Sequence, residues 1–328
     1  MEEILVVGVD VSKSTLDVYF KPGNHAVRIE NNTSGFRQWA RELKKILNKD
    51  SRVLVVMEHT GHYSYRFESF LRFHCLDFCK VPALQIKRSL GVIRGKNDKV
   101  DAERIANYGW LRRDILTADA LPVDGIRELR ELLSLRAKMI RDRSGYICRQ
   151  KEMKATGSCL QKELETMQQR MVDALTKNIL ILEAKIKSVI KTHSPMQTIC
   201  QLLRSIKGVG WIVAAHMISC TDNFTRFNNA RKFNCYAGLA PFKYESGSSI
   251  KGRTRISHLA NKEIKTLLSL AALSAIQHDL EMKQYYRRRT DEGKRKMSCL
   301  NIIRSKLVAR MFAVVKRQTP YFELSAVA

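Results

Sequence analysis

Residues 4–10, ILVVGVD, decide the fold: a short aliphatic run that ends on an aspartate. Such a run is too short for a buried helix and suits a strand covered on both faces. Working outward, residues 16–20 and 26–29 read as the next two strands, joined by the turn Lys21-Pro22-Gly23-Asn24. Phe36, Trp39, Leu43, Ile46 and Leu47 recur at helical spacing and predict an amphipathic helix over 35–48. Residues 53–57, VLVVM, are a second buried run, delivering Glu58. A helix near 63–73, a strand at 77–82 and a helix over roughly 98–112 complete an α/β order with a mixed sheet.

The 328 residues suit two domains, or one with a large insertion. With 45% hydrophobic and 27% charged residues, the composition is that of a soluble globular protein. No apolar run reaches the roughly 18 residues that a membrane span needs. The start MEEILVVGVD lacks the pattern of a signal peptide, so the cytoplasm is the expected compartment. Eight scattered cysteines include no CxxC pair; His74-Cys75 with Cys79 is the nearest approach to a zinc site, which needs paired ligands at two places. Reduced, mostly buried thiols are expected instead.

The net charge of +26 points to a polyanionic partner. From residue 201 onward, 23 Lys+Arg face 8 Asp+Glu, so the C-terminal part should hold that partner most strongly. After Pro122 the character changes. Ile126, Leu129, Leu133, Arg136 and Ile140 form one helical stripe, and Ile179, Leu180, Leu182, Ile186 and Ile190 a second apolar set. Two long helices, broken near Ala155-Thr156-Gly157-Ser158, should fold back as an arm. The expected organisation is an α/β domain over 1–121, a helical arm over 122–197 and a mainly helical unit over 198–317. A poorly structured tail follows over 318–328.

Chemistry concentrates in two places. Asp10 and Glu58 each end an apolar strand, where ligands collect in open α/β sheets. Asp98 and Asp101, in KNDKVDAERIA, stand three apart at a helix start and share a face. Four gathered carboxylates repel unless a cation neutralises them, and oxygen ligands select Mg²⁺, with Mn²⁺ a substitute. Each acid alone also fits a turn or cap, the reading kept for Asp17, Asp77 and Glu103.

The second place is CYAGLAPFKYESGSSIKGRTRISHLANKEIKTLL, residues 235–268, where a Ser/Gly loop carries Ser246, Ser248 and Ser249 among Lys243, Lys251, Arg253 and Arg255. Such a loop can grip phosphate, or carry a serine that attacks phosphorus. Just upstream, Gly208 and Gly210 between two apolar helices give a helix-hairpin-helix-like pattern suited to backbone phosphate. Arg287, Arg288 and Arg289 follow Tyr285-Tyr286, and Lys294-Arg295-Lys296 lie close behind; these clusters suit phosphate tracking or base stacking.

Together GVDVSK, MEHTG, KNDKVDAERIA and AGLAPFKYESGSSIKG resemble the signatures of the DEDD-type transposases of bacterial insertion sequences (the insertion sequence 110 family). Pilin-gene invertases and bridge-RNA-guided recombinases are relatives of that family. The resemblance implies a RuvC-like, ribonuclease-H-type N-terminal domain whose Asp10, Glu58, Asp98 and Asp101 bind Mg²⁺. It implies a C-terminal transposase domain with Ser246 as nucleophile, a phosphoserine link to DNA, and a homo-oligomer, dimer to tetramer. Double-stranded donor and target DNA, a non-coding bridge RNA and residence at the bacterial nucleoid are implied as well, by analogy alone. A junction-resolving nuclease that activates water is the alternative, and Tyr244 is a competing nucleophile.

Overall fold

Alternation along β1 (Ile4–Val11) turns Leu5, Val7, Val9 and Val11 to one face of a sheet and Val6, Gly8 and Asp10 to the other. The computed structural model describes residues 4–47, 51–59, 61–89, 98–119, 125–157, 161–246 and 250–322. The chain divides into two compact units, Met1–Leu121 and Pro122–Ala328.

In the first unit, β1 is followed by β2 (Thr15–Lys21), β3 (His25–Glu30), α1 (Thr33–Ile46) and β4 (Arg52–Glu58). Then come α2 (Tyr65–Phe73), β5 (Asp77–Val81), α3 (Ala83–Ser89) and α4 (Asp98–Leu111). The sheet order is β3-β2-β1-β4-β5, antiparallel across β3, β2 and β1 and parallel across β1, β4 and β5. This is the mixed α/β sheet that the aliphatic runs predict. Helix α1 begins two residues early because Asn32 caps it, accepting from the Gly35 amide at 2.9 Å, a contact worth about 1 kcal/mol.

One face of the sheet is covered by Phe36, Trp39 and Leu43 of α1 with Phe67 and Leu71 of α2. On the other face Ile86 of α3 and Ile105 and Tyr108 of α4 pack on Val6, Leu54, Val56, Cys79 and Val81. Here α4 crosses β1 at backbone level. A Cβ on Gly8 would stand 2.3 Å from the Ala106 amide nitrogen and 2.5 Å from the Ala102 carbonyl oxygen, so only glycine fits.

The second unit opens with α5 (Ile126–Thr156) and α6 (Gln161–Thr192), the arm, and Gly157 closes α5 in the left-handed region. Arg136 holds Glu183 across the pair with bonds of 2.8 and 2.6 Å. Next come α7 (Ser194–Arg204), α8 (Trp211–Thr221), α9 (Ala230–Tyr236), β6 (Pro241–Ser246) and β7 (Ile250–Ile256). Helices α10 (Lys262–His278), α11 (Leu280–Asp291) and α12 (Lys296–Arg317) complete it. The arm's root is part of this unit's core: Ile126, Leu129, Leu133, Ile186, Val189 and Ile190 pack with residues of α7, α8, α10 and α12.

Three expectations change. The Ser/Gly loop is an antiparallel hairpin, β6 on β7, with Ser246 the last residue of β6; Gly247, Ser248 and Ser249 lie outside the described residues. The tail is held as far as residue 322: the Tyr321 amide donates to Ser205 Oγ at 2.7 Å, and Arg310 stacks on the Tyr321 ring. The thiols are mixed in burial, with Cys79, Cys200 and Cys299 buried but Cys75 and Cys148 exposed.

Candidate active site

Strand register puts two of the acids together. Val9 lies opposite Met57 in the parallel β1–β4 pair, so Asp10 and Glu58 follow at neighbouring positions on the carboxyl ends of both strands. Both share the face that carries Val6, Leu54 and Val56. Helix α4 lies on that same face. Its residues 102 and 106 meet Gly8, and Gly109 meets Val6 and Val56, so its N-terminal turn points toward the Asp10–Glu58 end. Asp98 opens this helix and Asp101 stands one turn on.

The backbone brings the positions of the four acids to one end of one sheet face. Among the described residues, no group of three or more His, Cys, Asp and Glu side chains could hold a metal ion. Asp101 instead finds its counter-charge in Arg104, whose Nη1 donates to Oδ1 at 2.7 Å. The side chains of Asp98, Tyr244, Ser246, Lys251 and Arg253 lie outside what is described. The donor type these positions offer, carboxylate oxygen, fits a hard divalent cation such as Mg²⁺ or Mn²⁺.

A fifth acid stands beside the quartet. Asp17 lies directly opposite Asp10 across β1 and β2, and is buried to 5% exposure. Arg28, opposite it on β3, donates to both its oxygens at 2.8 and 2.9 Å. A bidentate guanidinium cancels this charge, so Asp17 adds no unpaired carboxylate to a site that is already acidic. In sequence it reads as an ordinary turn acid; only the cross-strand register brings it next to Asp10. Asp77 pairs with Arg52 on the next strand, a structural role.

In the second unit, the ends of the β6–β7 hairpin are tied at the root. The Asn261 amide donates to the Tyr236 carbonyl at 3.0 Å and its Nδ2 to the Tyr236 hydroxyl at 2.8 Å. Asn261 Oδ1 caps α10 through the Ile264 amide. Lys243 and Arg255 are exposed on the hairpin, Lys243 lying 4.0 Å from Glu245. Burial raises the Tyr236 hydroxyl and pushes the neighbouring Cys220 thiol up to about 11, so both stay protonated at neutral pH.

The two turn glycines separate in role. Gly208 has φ +89°, and a Cβ there would meet the Ala271 carbonyl of α10 at 2.6 Å; its lack of a side chain serves packing. Gly210 caps α8 with open space around it, beside a cavity of about 320 Å³ lined in part by Lys191, Gln197, Arg204 and Trp211. Arg204 and Lys187 lie over the Trp211 ring at 4.5 and 5.8 Å. Arg287 and Arg288 are exposed, whereas Arg289 is committed to Glu292 at 2.7 Å and to the Tyr285 hydroxyl. Among the described residues, no helix is long and apolar enough to cross a membrane.

An acid pair at strand ends under a two-aspartate helix, in a chain with a separate basic helical unit, is the pattern expected of a DEDD-class protein. Residues 7–153 match the DEDD transposase model of the IS110 type, described as "Transposase", and residues 200–287 match "Transposase IS116/IS110/IS902 family". The chain belongs to this family, the IS110-type DEDD transposases of insertion sequences. It is 25% identical over 325 residues to the pilin gene-inverting protein of Moraxella bovis, covering 96% of this chain and 97% of the relative. The insertion element IS110 43.6 kDa protein of Streptomyces coelicolor is 30% identical over 140 residues, 43% of this chain and 33% of that one. The transposase for insertion sequence element IS1111A of Coxiella burnetii is 27% identical over 126 residues, 38% of this chain and 31% of that one. Membership implies DNA binding and DNA-cutting recombinase activity, which in DEDD transposases generally depends on a divalent metal.

Proposed function

We propose that this transposase cuts and rejoins DNA with two half-sites, an acidic one in a RuvC-like N-terminal domain and a serine one on the hairpin. The observation that carries the reading is the pairing of Asp10 with Glu58 at the carboxyl ends of two parallel strands, under the first turn of α4. Asp10, Glu58, Asp98 and Asp101 would hold Mg²⁺, Asp101 exchanging Arg104 for the ion. A divalent cation in that position supplies Lewis-acid stabilisation of charge on the scissile phosphate.

Ser246 Oγ attacks phosphorus, the Ser–O–P ester forms, and the P–O bond to a deoxyribose oxygen breaks. The serine's proton is passed on as that oxygen leaves as a hydroxyl. Rejoining reverses the step: a deoxyribose hydroxyl attacks the phosphoserine and frees the side chain. Lys243, Lys251, Arg253 and Arg255 bear on the phosphate charge. Gly210 with the α8 N-terminus, and Arg287 and Arg288 on α11, track the backbone. The Moraxella relative is named for inverting a pilin gene. On this reading the present chain likewise exchanges strands between two DNA sites, as a homo-oligomer at the bacterial nucleoid and guided by a bridge RNA.

The test is covalent trapping on a labelled element end. Ser246→Ala abolishes the protein–DNA adduct and Tyr244→Phe retains it, while Asp10→Asn abolishes cleavage. Cutting that persists in Ser246→Ala would establish the water-activating nuclease instead. Sequencing RNA that co-purifies from the native locus tests the guide: a discrete RNA complementary to the element ends is expected, and random fragments would remove that part.

A further inference from the structure

Four side chains that are charged at neutral pH are buried among the described residues: Asp17, Glu68, Asp279 and Arg304. Three are compensated. Asp17 holds Arg28, Glu68 holds Lys80 at 3.0 Å and Arg72 at 3.5 Å, and Asp279 holds Arg310 at 2.5 Å. Arg304, on α12 and 5% exposed, forms no ion pair among the described residues. Its Nη1 donates to Asn301 Oδ1 at 3.4 Å, a long bond, and its Nε is fully enclosed with no partner. Burial alone pushes its guanidinium below the ordinary value, with no carboxylate acting in the other direction. A guanidinium so placed destabilises the fold it sits in, whereas an apolar side chain of similar length would not.

The location gives this charge a use. Asn301 Nδ2 donates to the Leu239 carbonyl at 2.8 Å, and the Leu239 and Ala240 amides both donate to the Asn234 carbonyl. Ala240 precedes Pro241, the first residue of β6. Asn234 Oδ1 is also enclosed without a partner. Arg304 therefore stands where the hairpin that carries Ser246 leaves the core. With Nε enclosed and Nη1 turned to Asn301, Nη2 is the guanidinium donor left for a phosphate oxygen arriving from outside.

We propose that Arg304 receives a backbone phosphate of the DNA strand engaged by the hairpin, and that this phosphate supplies the negative charge the fold omits. The assignment rests on the reading that the hairpin handles DNA, but not on which residue is the nucleophile.

The experiment compares the full-length protein with Arg304→Met and Arg304→Lys. Thermal unfolding is measured without DNA, and equilibrium binding to a duplex element end is measured in EDTA across a salt series. Because EDTA prevents cleavage, the outcome is independent of Ser246. Arg304→Met should melt at or above the wild-type temperature, since it removes an uncompensated charge. It should bind the duplex about tenfold more weakly, with the slope of log K against log salt reduced by about 1, the share of one phosphate contact. Arg304→Lys, which keeps the charge without the fork, should restore the slope and only part of the affinity. An unchanged slope and affinity in Arg304→Met would overturn the proposal and leave a carboxylate of another chain as the counter-charge. A lower melting temperature with an unchanged slope would equally overturn it, in favour of a packing role.

Discussion

Replacing Gly8 by alanine tests whether the seating of α4 governs the acidic half-site. The new methyl would lie 2.3 Å from the Ala106 nitrogen, 2.5 Å from the Ala102 oxygen and 2.7 Å from the Ala106 Cα, all backbone atoms of one helix. Ordinary contact between such atoms is about 3.5 Å, so α4 must retreat by roughly 1 Å. Overpacking of this kind costs about 1–3 kcal/mol. In a unit of this size it lowers the melting temperature by several degrees. The same retreat carries Asp98 and Asp101 away from Asp10 and Glu58, and a misplacement of about 1 Å costs on the order of 100-fold in rate. The assay pairs thermal unfolding with metal-dependent cleavage of an element end, and uses Gly109→Ala as control. A Cβ at Gly109 meets only the Val56 and Val6 side-chain methyls, at 2.7 and 2.8 Å, near the far end of the same helix. Gly8→Ala should therefore lose far more activity than Gly109→Ala at comparable stability. Equal loss in the two, or full activity in Gly8→Ala, would refute the argument.

His216 is buried, and desolvation pushes its imidazole down to about 4 from 6.5, with Arg136 acting in the same direction. The unfolded chain then binds the extra proton between those values. Stability is full above pH 6.5 and falls as pH drops toward 4, by about 3 kcal/mol, levelling off below. Urea midpoints at pH 7.5 and 4.5 should show a smaller pH-dependent loss in His216→Gln, and matching losses would remove histidine as the cause. Gly208→Ala combines a left-handed backbone at φ +89° with a methyl 2.6 Å from the Ala271 carbonyl. A loss of about 2–4 kcal/mol in chemical denaturation is expected, and a loss under 1 would show that α10 gives way. Asn261→Ala removes both the α10 cap and the Tyr236 bond, costing about 1–2 kcal/mol. It should also slow formation of the proposed Ser246 adduct more than duplex binding; a proportional fall in both would deny it a part in aiming the hairpin.

The sheet was readable because buried parallel strands are written as aliphatic runs, and ILVVGVD and VLVVME each carry their acid at the end. Helix α3 was not, since seven residues over Ala83–Ser89 give too little periodicity. The hairpin was hidden by its own composition: proline, glycine and serine over residues 241–252 read as a loop, and the pairing of Tyr244 with Gly252 is not a local signal. Asp17 escaped for a related reason, because its neighbour Asp10 is fixed by register between strands. Gly208 reads in sequence as a phosphate-binding turn glycine; the packing that demands glycine there comes from α10, more than 60 residues away, and leaves no local signal. Arg304 did leave a trace. It interrupts the stripe Leu300, Ile303, Leu307, Val308 and Met311, a cation inside an otherwise apolar helix face.

The arm described above is built like a zipper with one end sewn in. Its root helices share a core with α7, α8, α10 and α12, whereas the outer halves of α5 and α6 meet mainly each other, through bonds such as Gln150 to Gln169 at 3.2 Å. Opening should therefore run from the tip inward. Amide exchange would grade along each helix, fast near Thr156 and Gln161 and slow near Leu129 and Ile190. The far half of the arm can fray and reclose many times while the hairpin's footing, anchored in the same core as the root, stays put.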